Sequence, residues 1–84
     1  MKILIYTKST CSYCIRAKQL LEREGLGYEE IRVDLEPKEL EKMIAASNGR
    51  RTVPQIFIND KHLGGCDDLF AHYRKLGAIK TIEE

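Results

Sequence analysis

The chain has 84 residues, of which 43% are hydrophobic and 32% are charged, a composition typical of a folded globular domain and not of a disordered or membrane-embedded chain. Its 14 basic and 13 acidic residues give a formal net charge of +1, so bulk charge does not favour nucleic acid or an anionic membrane as a partner. The longest apolar run near the N-terminus, Ile3 to Tyr6, is too short for a signal-peptide core or a membrane span. We therefore expect one domain over residues 1–84 that acts in the cytoplasm as a monomer.

The first part of the chain alternates between strand-like and helix-like patterns. Residues 2–7 form an apolar run typical of a buried strand. From Cys14 onward, apolar residues recur at helical spacing with charged residues between them, and Gly25 follows as a helix end. Residues 28–34 predict a second strand, whose apolar positions are Tyr28, Ile31, Val33 and Leu35.

The second part predicts a helix, a hairpin and a last helix. Pro37 suits the first turn of a helix that runs through residue 47. Strands over residues 53–58 and 61–63 are joined by the tight turn Asn59-Asp60. The last helix opens at two aspartates, and we expect a surface tail after it over residues 78–84. The buried positions predicted for this helix, and the glycine after it, are Leu69, Phe70, Tyr73, Leu76 and Gly77.

Two cysteines separated by two residues stand between the first strand and the first helix. Cys11 falls at the helix start, where backbone N–H groups and the helix dipole favour a negative charge on its sulfur, and Lys8 adds positive charge nearby. We therefore predict that Cys11 is a nucleophile. Cys14 lies one turn later on the face of Ala17, so we expect it to be more buried and to resolve a mixed disulfide formed on Cys11.

A zinc site is the alternative interpretation of such a cysteine pair. It needs two further ligands at defined spacing. The remaining candidates are Cys66, His62 and His72, and none of them forms a second tight pair. We therefore expect no metal site, and we interpret Cys66 as a packed cysteine without a redox role.

Three further segments carry polar or backbone groups suited to a ligand. Tyr13, between the cysteines, is expected to be exposed and to form one wall of a substrate groove. In the segment 51–54, Pro54 is expected in the common trans form, although a cis bond would turn the Val53 backbone outward toward a peptide-like substrate. The segment 64–68 combines two glycines, a helix N-terminus and two carboxylates, which suits the carboxylate and ammonium of an α-amino acid end.

Together these segments resemble the glutaredoxin family, and in particular its short bacterial dithiol members. The resemblance covers nearly the whole chain, and each segment is weak evidence by itself, whereas the set in this order is strong. The residues that carry it are Ile3-Leu4-Ile5-Tyr6-Thr7-Lys8, Cys11-Ser12-Tyr13-Cys14, Thr52-Val53-Pro54-Gln55-Ile56-Phe57-Ile58 and Gly64-Gly65-Cys66-Asp67-Asp68-Leu69.

The resemblance implies an α/β thioredoxin fold in the order βαβαββα, with a four-stranded mixed sheet flanked by three helices and a cis bond before Pro54. It implies a glutathione-disulfide oxidoreductase that uses glutathione as reductant and acts on disulfide-bonded or glutathionylated proteins. Lys8 and Arg51 would face the glycine carboxylate of glutathione, and the Val53 backbone would pair with its cysteinyl unit. The full set of implied glutathione-binding residues is Lys8, Tyr13, Arg51, Thr52, Val53, Pro54, Cys66, Asp67 and Asp68, the last three at the γ-glutamyl end.

One position departs from the common pattern of the family. Ser12 stands where dithiol members most often carry proline. Members with serine there suggest a second hypothesis, a glutathione-ligated iron–sulfur cluster shared by two chains. A third is a redoxin of the same fold that is reduced by a thioredoxin reductase instead of glutathione.

Overall fold

The computed structural model describes residues 1–75. The predictions for Leu76, Gly77 and the tail 78–84 lie outside the described residues. Within them the elements follow the predicted order βαβαββα. Their bounds are β1 Ile3–Thr7, α1 Ser12–Arg23, β2 Glu29–Arg32, α2 Pro37–Ala46, β3 Gln55–Ile58, β4 Lys61–Gly64 and α3 Cys66–Lys75.

The four strands form one mixed sheet in the order β2-β1-β3-β4. β1 and β2 are parallel, with α1 as the crossover between them, whereas β3 is antiparallel to both β1 and β4. Tyr6 pairs with Gln55 and Ile56 pairs with Gly64. The C-terminal end of β1, the N-terminal end of β3 and the C-terminal end of β4 therefore lie together at the same end of the sheet.

Alternation along β1 divides the core between the two faces of the sheet, as the period of a strand requires. Ile3 and Ile5 pack with α1 and α3 on one face. Tyr6 packs on the other face with Met43 of α2 and with Phe57, whose ring lies edge-on at 5.7 Å. The three helices thus flank the sheet on both sides, which confirms the predicted fold class.

Several local expectations differ from the structure. The strand predicted over 28–34 spans Glu29–Arg32, the helix predicted through residue 47 ends at Ala46, and Phe70 is only partly buried. Leu35 was predicted as a buried strand position, but β2 ends at Arg32 and Leu35 is 68% exposed, because the chain turns there toward α2. The third strand begins at Gln55 instead of residue 53. The Val53–Pro54 peptide bond is cis, as the family resemblance implied and the frequency of trans bonds did not.

Candidate active site

Cys11 caps the first helix with its own side chain. Its backbone is extended, with φ −123° and ψ 106°, and its Sγ accepts a hydrogen bond from the Cys14 N–H at 3.2 Å. The Cys11 thiol also lies 3.8 Å from the carbonyl oxygen of Val53, to which it donates. The sulfur is partly exposed. The sulfur therefore lies at the N-terminal end of α1 beside a backbone N–H donor, at the surface of the domain.

Cys14 has the opposite environment. It is 1% exposed, and burial raises its pKa from 9.0 to about 12, with the hydrogen bond to Cys11 as the next cause. A thiol of this kind stays protonated near neutral pH, so it is not the group that attacks first. The structure therefore places the more accessible sulfur at Cys11 and the buried sulfur at Cys14, as the sequence predicted.

The predicted binding residues line two neighbouring grooves that share Tyr13, Thr52 and Val53. The first, which we call the α3 groove, has a volume of about 210 Å³ and is lined by Tyr13, Arg50, Thr52, Val53, Pro54, Gly65, Cys66, Asp67 and Asp68. The second, which we call the Cys11 groove, has a volume of about 560 Å³ and is lined by Lys8, Thr10, Cys11, Ser12, Tyr13, Val33, Asp34, Leu40, Arg51, Thr52 and Val53. Each of the nine predicted binding residues lies in one of these grooves or in both.

The wall of the α3 groove is the N-terminus of α3. Asp68 accepts a hydrogen bond from the Gly65 N–H at 3.0 Å and so caps the helix start. Gly64 has φ +135°, and a Cβ there would collide with the Asp68 side chain, so only glycine fits this position without strain. Cys66 also lines this groove, but it is 6% exposed and burial raises its pKa, so its thiol is not a reactive thiolate near neutral pH.

The Cys11 groove is lined by two cations and one carboxylate, whereas the α3 groove is lined by two carboxylates and one cation. Lys8 and Arg51 are exposed on its lining. Asp34 accepts from the Ser9 N–H at 3.2 Å and from Arg32 at 2.6 Å, and the Arg32 guanidinium holds the pKa of this carboxyl well below its usual range. Asp34 thereby anchors the segment between β1 and Cys11 to the end of β2.

Sequence reasoning did not single out several residues of the site, of which Arg50 and Gln55 have the clearest contacts. Arg50 lines the α3 groove beside Gly65, and its only sequence signal was that it precedes another arginine. Gln55 is fully buried at the start of β3 and donates to the Thr52 carbonyl at 3.0 Å, while its Oε1 accepts from His62 Nε2 at 2.7 Å. A glutamine inside an apolar strand run was the available signal for this support of Thr52.

Within residues 1–75 no group of three or more His, Cys, Asp or Glu side chains is placed to hold a metal ion. Of the three cysteines only Cys11 is more than marginally exposed, since Cys14 and Cys66 are buried. A cluster shared by two chains would have the Cys11 sulfur as the one accessible cysteine ligand from each chain within residues 1–75. In the same part of the chain, no helix combines the length and apolar character that a membrane crossing requires.

Comparison with known proteins places this geometry in context. The glutaredoxin family model matches residues 3–63. The chain is 56% identical over 83 residues to glutaredoxin 1 of Rickettsia prowazekii, covering 98% of this chain and 86% of that relative. It is 55% identical over 67 residues to glutaredoxin 3 of Escherichia coli K12, covering 80% of each.

Solved structures give the same result. The solution structure of glutaredoxin from Brucella melitensis superposes with a TM-score of 0.75 at 44% identity, covering 92% of this chain and 82% of that one. The crystal structure of a buckwheat glutaredoxin–glutathione complex superposes with a TM-score of 0.79 at 33% identity, covering 90% of this chain and 71% of that one.

Proposed function

Because the chain belongs to the glutaredoxin family and is a thiol–disulfide oxidoreductase, we propose that glutathione is its reductant and that Cys11 and Cys14 form its redox centre. Its substrates are glutathione mixed disulfides and protein disulfides. The observation that carries the proposal is that Cys11 lines one groove and its sulfur lies 3.8 Å from the carbonyl oxygen of Val53, a residue that also lines the second groove. The crystallised buckwheat relative binds glutathione, which supports the same choice of ligand.

The charges of the grooves are complementary to the two ends of glutathione. Lys8 and Arg51 supply cations for the glycine carboxylate. In the α3 groove, the first N–H groups of α3 suit the α-carboxylate of the γ-glutamyl unit, and the carboxylates of Asp67 and Asp68 suit its ammonium.

The shared wall of the grooves holds the middle of the tripeptide. The Val53 backbone pairs with the cysteinyl unit, whose sulfur then lies beside Cys11. Tyr13, Thr52 and Pro54 line the path on either side. Cys66 completes the γ-glutamyl end through its backbone N–H.

The reaction begins with the Cys11 thiolate attacking a glutathione mixed disulfide. An S–S bond forms between Cys11 and the glutathione sulfur, the substrate S–S bond breaks, and the substrate leaves as a thiolate. A second glutathione thiolate then attacks the bond on Cys11 and releases glutathione disulfide. With a protein disulfide, Cys11 attacks first and forms a mixed disulfide with one protein sulfur while the other leaves as a thiolate. Cys14 then attacks Cys11, the second protein sulfur leaves as a thiolate, and the Cys11–Cys14 bond is later reduced by glutathione.

The test is NADPH consumption with two electron donors in parallel. One tube contains glutathione, glutathione reductase and a small glutathione mixed disulfide. The other contains the same mixed disulfide, with thioredoxin reductase in place of glutathione and glutathione reductase. We expect turnover in the first tube alone. Turnover in the second tube alone would contradict glutathione dependence while leaving the thiol chemistry intact. No turnover in either tube would contradict the proposal and favour the cluster-carrier hypothesis.

Lys8→Ala and Arg51→Ala separate binding from chemistry in the first tube. Both variants should raise KM for glutathione, and the effect should shrink as ionic strength rises, because exposed charges are screened. Lys38→Ala on exposed α2 is the matched control, since it removes a cation away from both grooves. Equal KM values for all three variants would contradict the assignment of the cationic end.

A further inference from the structure

The resolving step requires a thiolate on a residue whose surroundings oppose it. Cys14 is 1% exposed, and burial is the largest cause of its raised pKa. The helix N-terminus does not help, because the Cys14 N–H is directed to the Cys11 sulfur. Two other groups favour charge on Cys14: the Lys8 backbone, whose hydrogen bond to the Cys14 sulfur lowers its pKa, and a nearby cation.

Lys18 is such a cation. It lies one helical turn after Cys14 on the same face of α1, because residues four apart in a helix are neighbours. Its side chain is only 28% exposed, and its Nζ is 3.0 Å from Oε2 of Glu30, which is 29% exposed. A partly desolvated ammonium acts on neighbours more strongly than a solvated one. Burial raises the pKa of Cys14 most, and the Lys18 charge acts in the opposite direction.

Thr7 of β1 holds the Glu30 carboxylate of the Lys18–Glu30 ion pair by a hydrogen bond. It follows Ile3 and Ile5 on the α1 face of β1, is fully buried, and donates its hydroxyl hydrogen to Glu30 Oε2 at 2.6 Å. The same carboxylate oxygen therefore holds both a hydroxyl and the Lys18 ammonium. The Thr7 hydrogen bond is the main cause that lowers the pKa of Glu30, so the carboxylate stays charged while Cys14 reacts.

Other titratable groups lie on the neighbouring elements. On β2, Arg32 acts on Glu30, and Tyr28 precedes the strand. Cys11 adjoins Cys14, and α3 brings Cys66 and Tyr73 to the same core. The pKa values of Tyr28, Cys66 and Tyr73 are raised, chiefly by burial, so they stay neutral near neutral pH, and Lys18 is the cation whose charge acts on Cys14.

We propose that Lys18, held by Glu30 and Thr7, is a positioning residue that favours the Cys14 thiolate in the resolving step. The inference rests on the proposed role of Cys14. In that step the Cys14 proton passes to solvent, an S–S bond forms between Cys14 and Cys11, and the bond from Cys11 to the bound sulfur breaks. The electron pair leaves with that sulfur, so the leaving group is reduced by two electrons while the two cysteines are oxidised.

The experiment follows the two sulfur transfers separately. Reduced protein in a Cys66→Ala background, which removes the third thiol, is mixed with one equivalent of an aromatic disulfide whose thiolate product is coloured. The first release of colour reports attack by Cys11, and the second reports displacement by Cys14. Both rates are measured by stopped flow across a pH series for the parent protein and for Lys18→Met and Lys18→Arg.

Lys18→Met keeps the length of the side chain and removes its charge. We expect its second release to be about tenfold slower at neutral pH, which is the change in thiolate fraction for one pKa unit. Its pH profile should move toward alkaline pH, while the first release keeps the parent rate. Lys18→Arg should restore the second release. The control Lys42→Met breaks the exposed Lys42–Glu39 pair on α2 and should match the parent in both releases.

Each result of this experiment either supports the inference or overturns it. A parent-like second release in Lys18→Met would overturn the inference. An equal slowing of both releases, or a slow step that Lys18→Arg does not restore, would also overturn it, because either result indicates a general structural effect. Absence of the first release in the parent protein would instead overturn the proposed role of Cys11 itself, which separates the failure of the proposed function from the failure of this inference.

Discussion

The backbone N–H of Cys14 donates a hydrogen bond to the sulfur of Cys11 over 3.2 Å. One turn of helix therefore joins the two thiols, although Cys11 is partly exposed and Cys14 is 1% exposed. The bond satisfies a helix N–H that would otherwise have no partner and directs it toward the sulfur proposed as the nucleophile. This difference in burial supports the proposal that Cys11 attacks and Cys14 resolves.

Single cysteine replacements should separate the two roles. Cys11→Ser should reduce activity to background with every substrate, because no other accessible thiol can attack. Cys14→Ser should retain removal of glutathione from mixed disulfides and lose reduction of protein disulfides. The coupled NADPH assay with both substrate types measures this. Equal losses in the two variants would contradict the division of roles.

Gly64→Ala should destabilise the fold. An alanine at φ +135° is strained by about 1–3 kcal/mol, and its methyl group would displace the Asp68 carboxylate from the Gly65 N–H. The control is Gly27→Ala, where an added Cβ meets open space, and its free energy of unfolding should change by less than about 1 kcal/mol. Urea unfolding measures both variants, and equal midpoints would contradict the explanation.

Asp67 and Asp68 should differ although they are adjacent. Asp68→Ala should lower the free energy of unfolding by about 1 kcal/mol, because it removes the cap on Gly65, and it should also raise KM for glutathione. Asp67→Ala should raise KM while changing stability by less than about 0.5 kcal/mol, because its side chain is exposed. Urea unfolding and glutathione titration of both variants test the pair. An unchanged KM in both would contradict the γ-glutamyl assignment.

Gln55→Leu should weaken both stability and binding. The fully buried Gln55 amide bonds to exposed Thr52 and to half-buried His62, so its replacement loses hydrogen bonds worth about 0.5–1.5 kcal/mol each. Because Thr52 lines both grooves, KM for glutathione should rise as well. Gln19→Leu makes the same chemical change at an exposed position of α1 and should leave both quantities near the parent values. Similar behaviour of the two variants would argue against the support of Thr52.

Stability of the reduced protein should fall at alkaline pH through Cys14. Burial raises the pKa of Cys14 in the folded state to about 12 from 9.0, so the unfolded chain loses this proton first as pH rises. Below about pH 9 the contribution is complete, and it is lost as pH rises toward about 12. Cys14→Ala should therefore show a shallower decline over that window. Buried tyrosines titrate in both proteins, so the difference between the two curves isolates Cys14, and parallel curves would contradict the prediction.

Much of the fold was predictable from short stretches of sequence. The apolar run before Lys8 predicted β1, and Pro37 marked the first turn of α2 because proline suits that position. Boundaries were less predictable. Leu35 continues an alternating pattern in the sequence, yet the strand ends at Arg32, since the next turn must carry the chain toward α2. The alternation of apolar and polar residues predicts which side chains prefer burial, but it does not determine where a strand stops pairing with its neighbour.

The candidate site divides in the same way. The pair Cys11 and Cys14 could be predicted from the sequence because its chemistry depends on spacing along one helical turn. Burial of the Cys14 sulfur follows from helical periodicity. The hydrogen bonds of Gln55 to Thr52 and His62 could not be predicted from the sequence, because His62 lies on a different strand, β4, and bonds to Gln55 across the sheet.

The sequence by itself determined the order of the elements, the two thiols and their division into exposed and buried, because all of these depend on neighbours within a turn or a strand. The tertiary structure decided the environment of those thiols. Lys18 meets Glu30 only because α1 packs on β1 and β2, and Thr7 joins them only because β1 ends beneath that contact. Charges separated along the chain act on one sulfur only after packing has brought them together and removed most of the water between them.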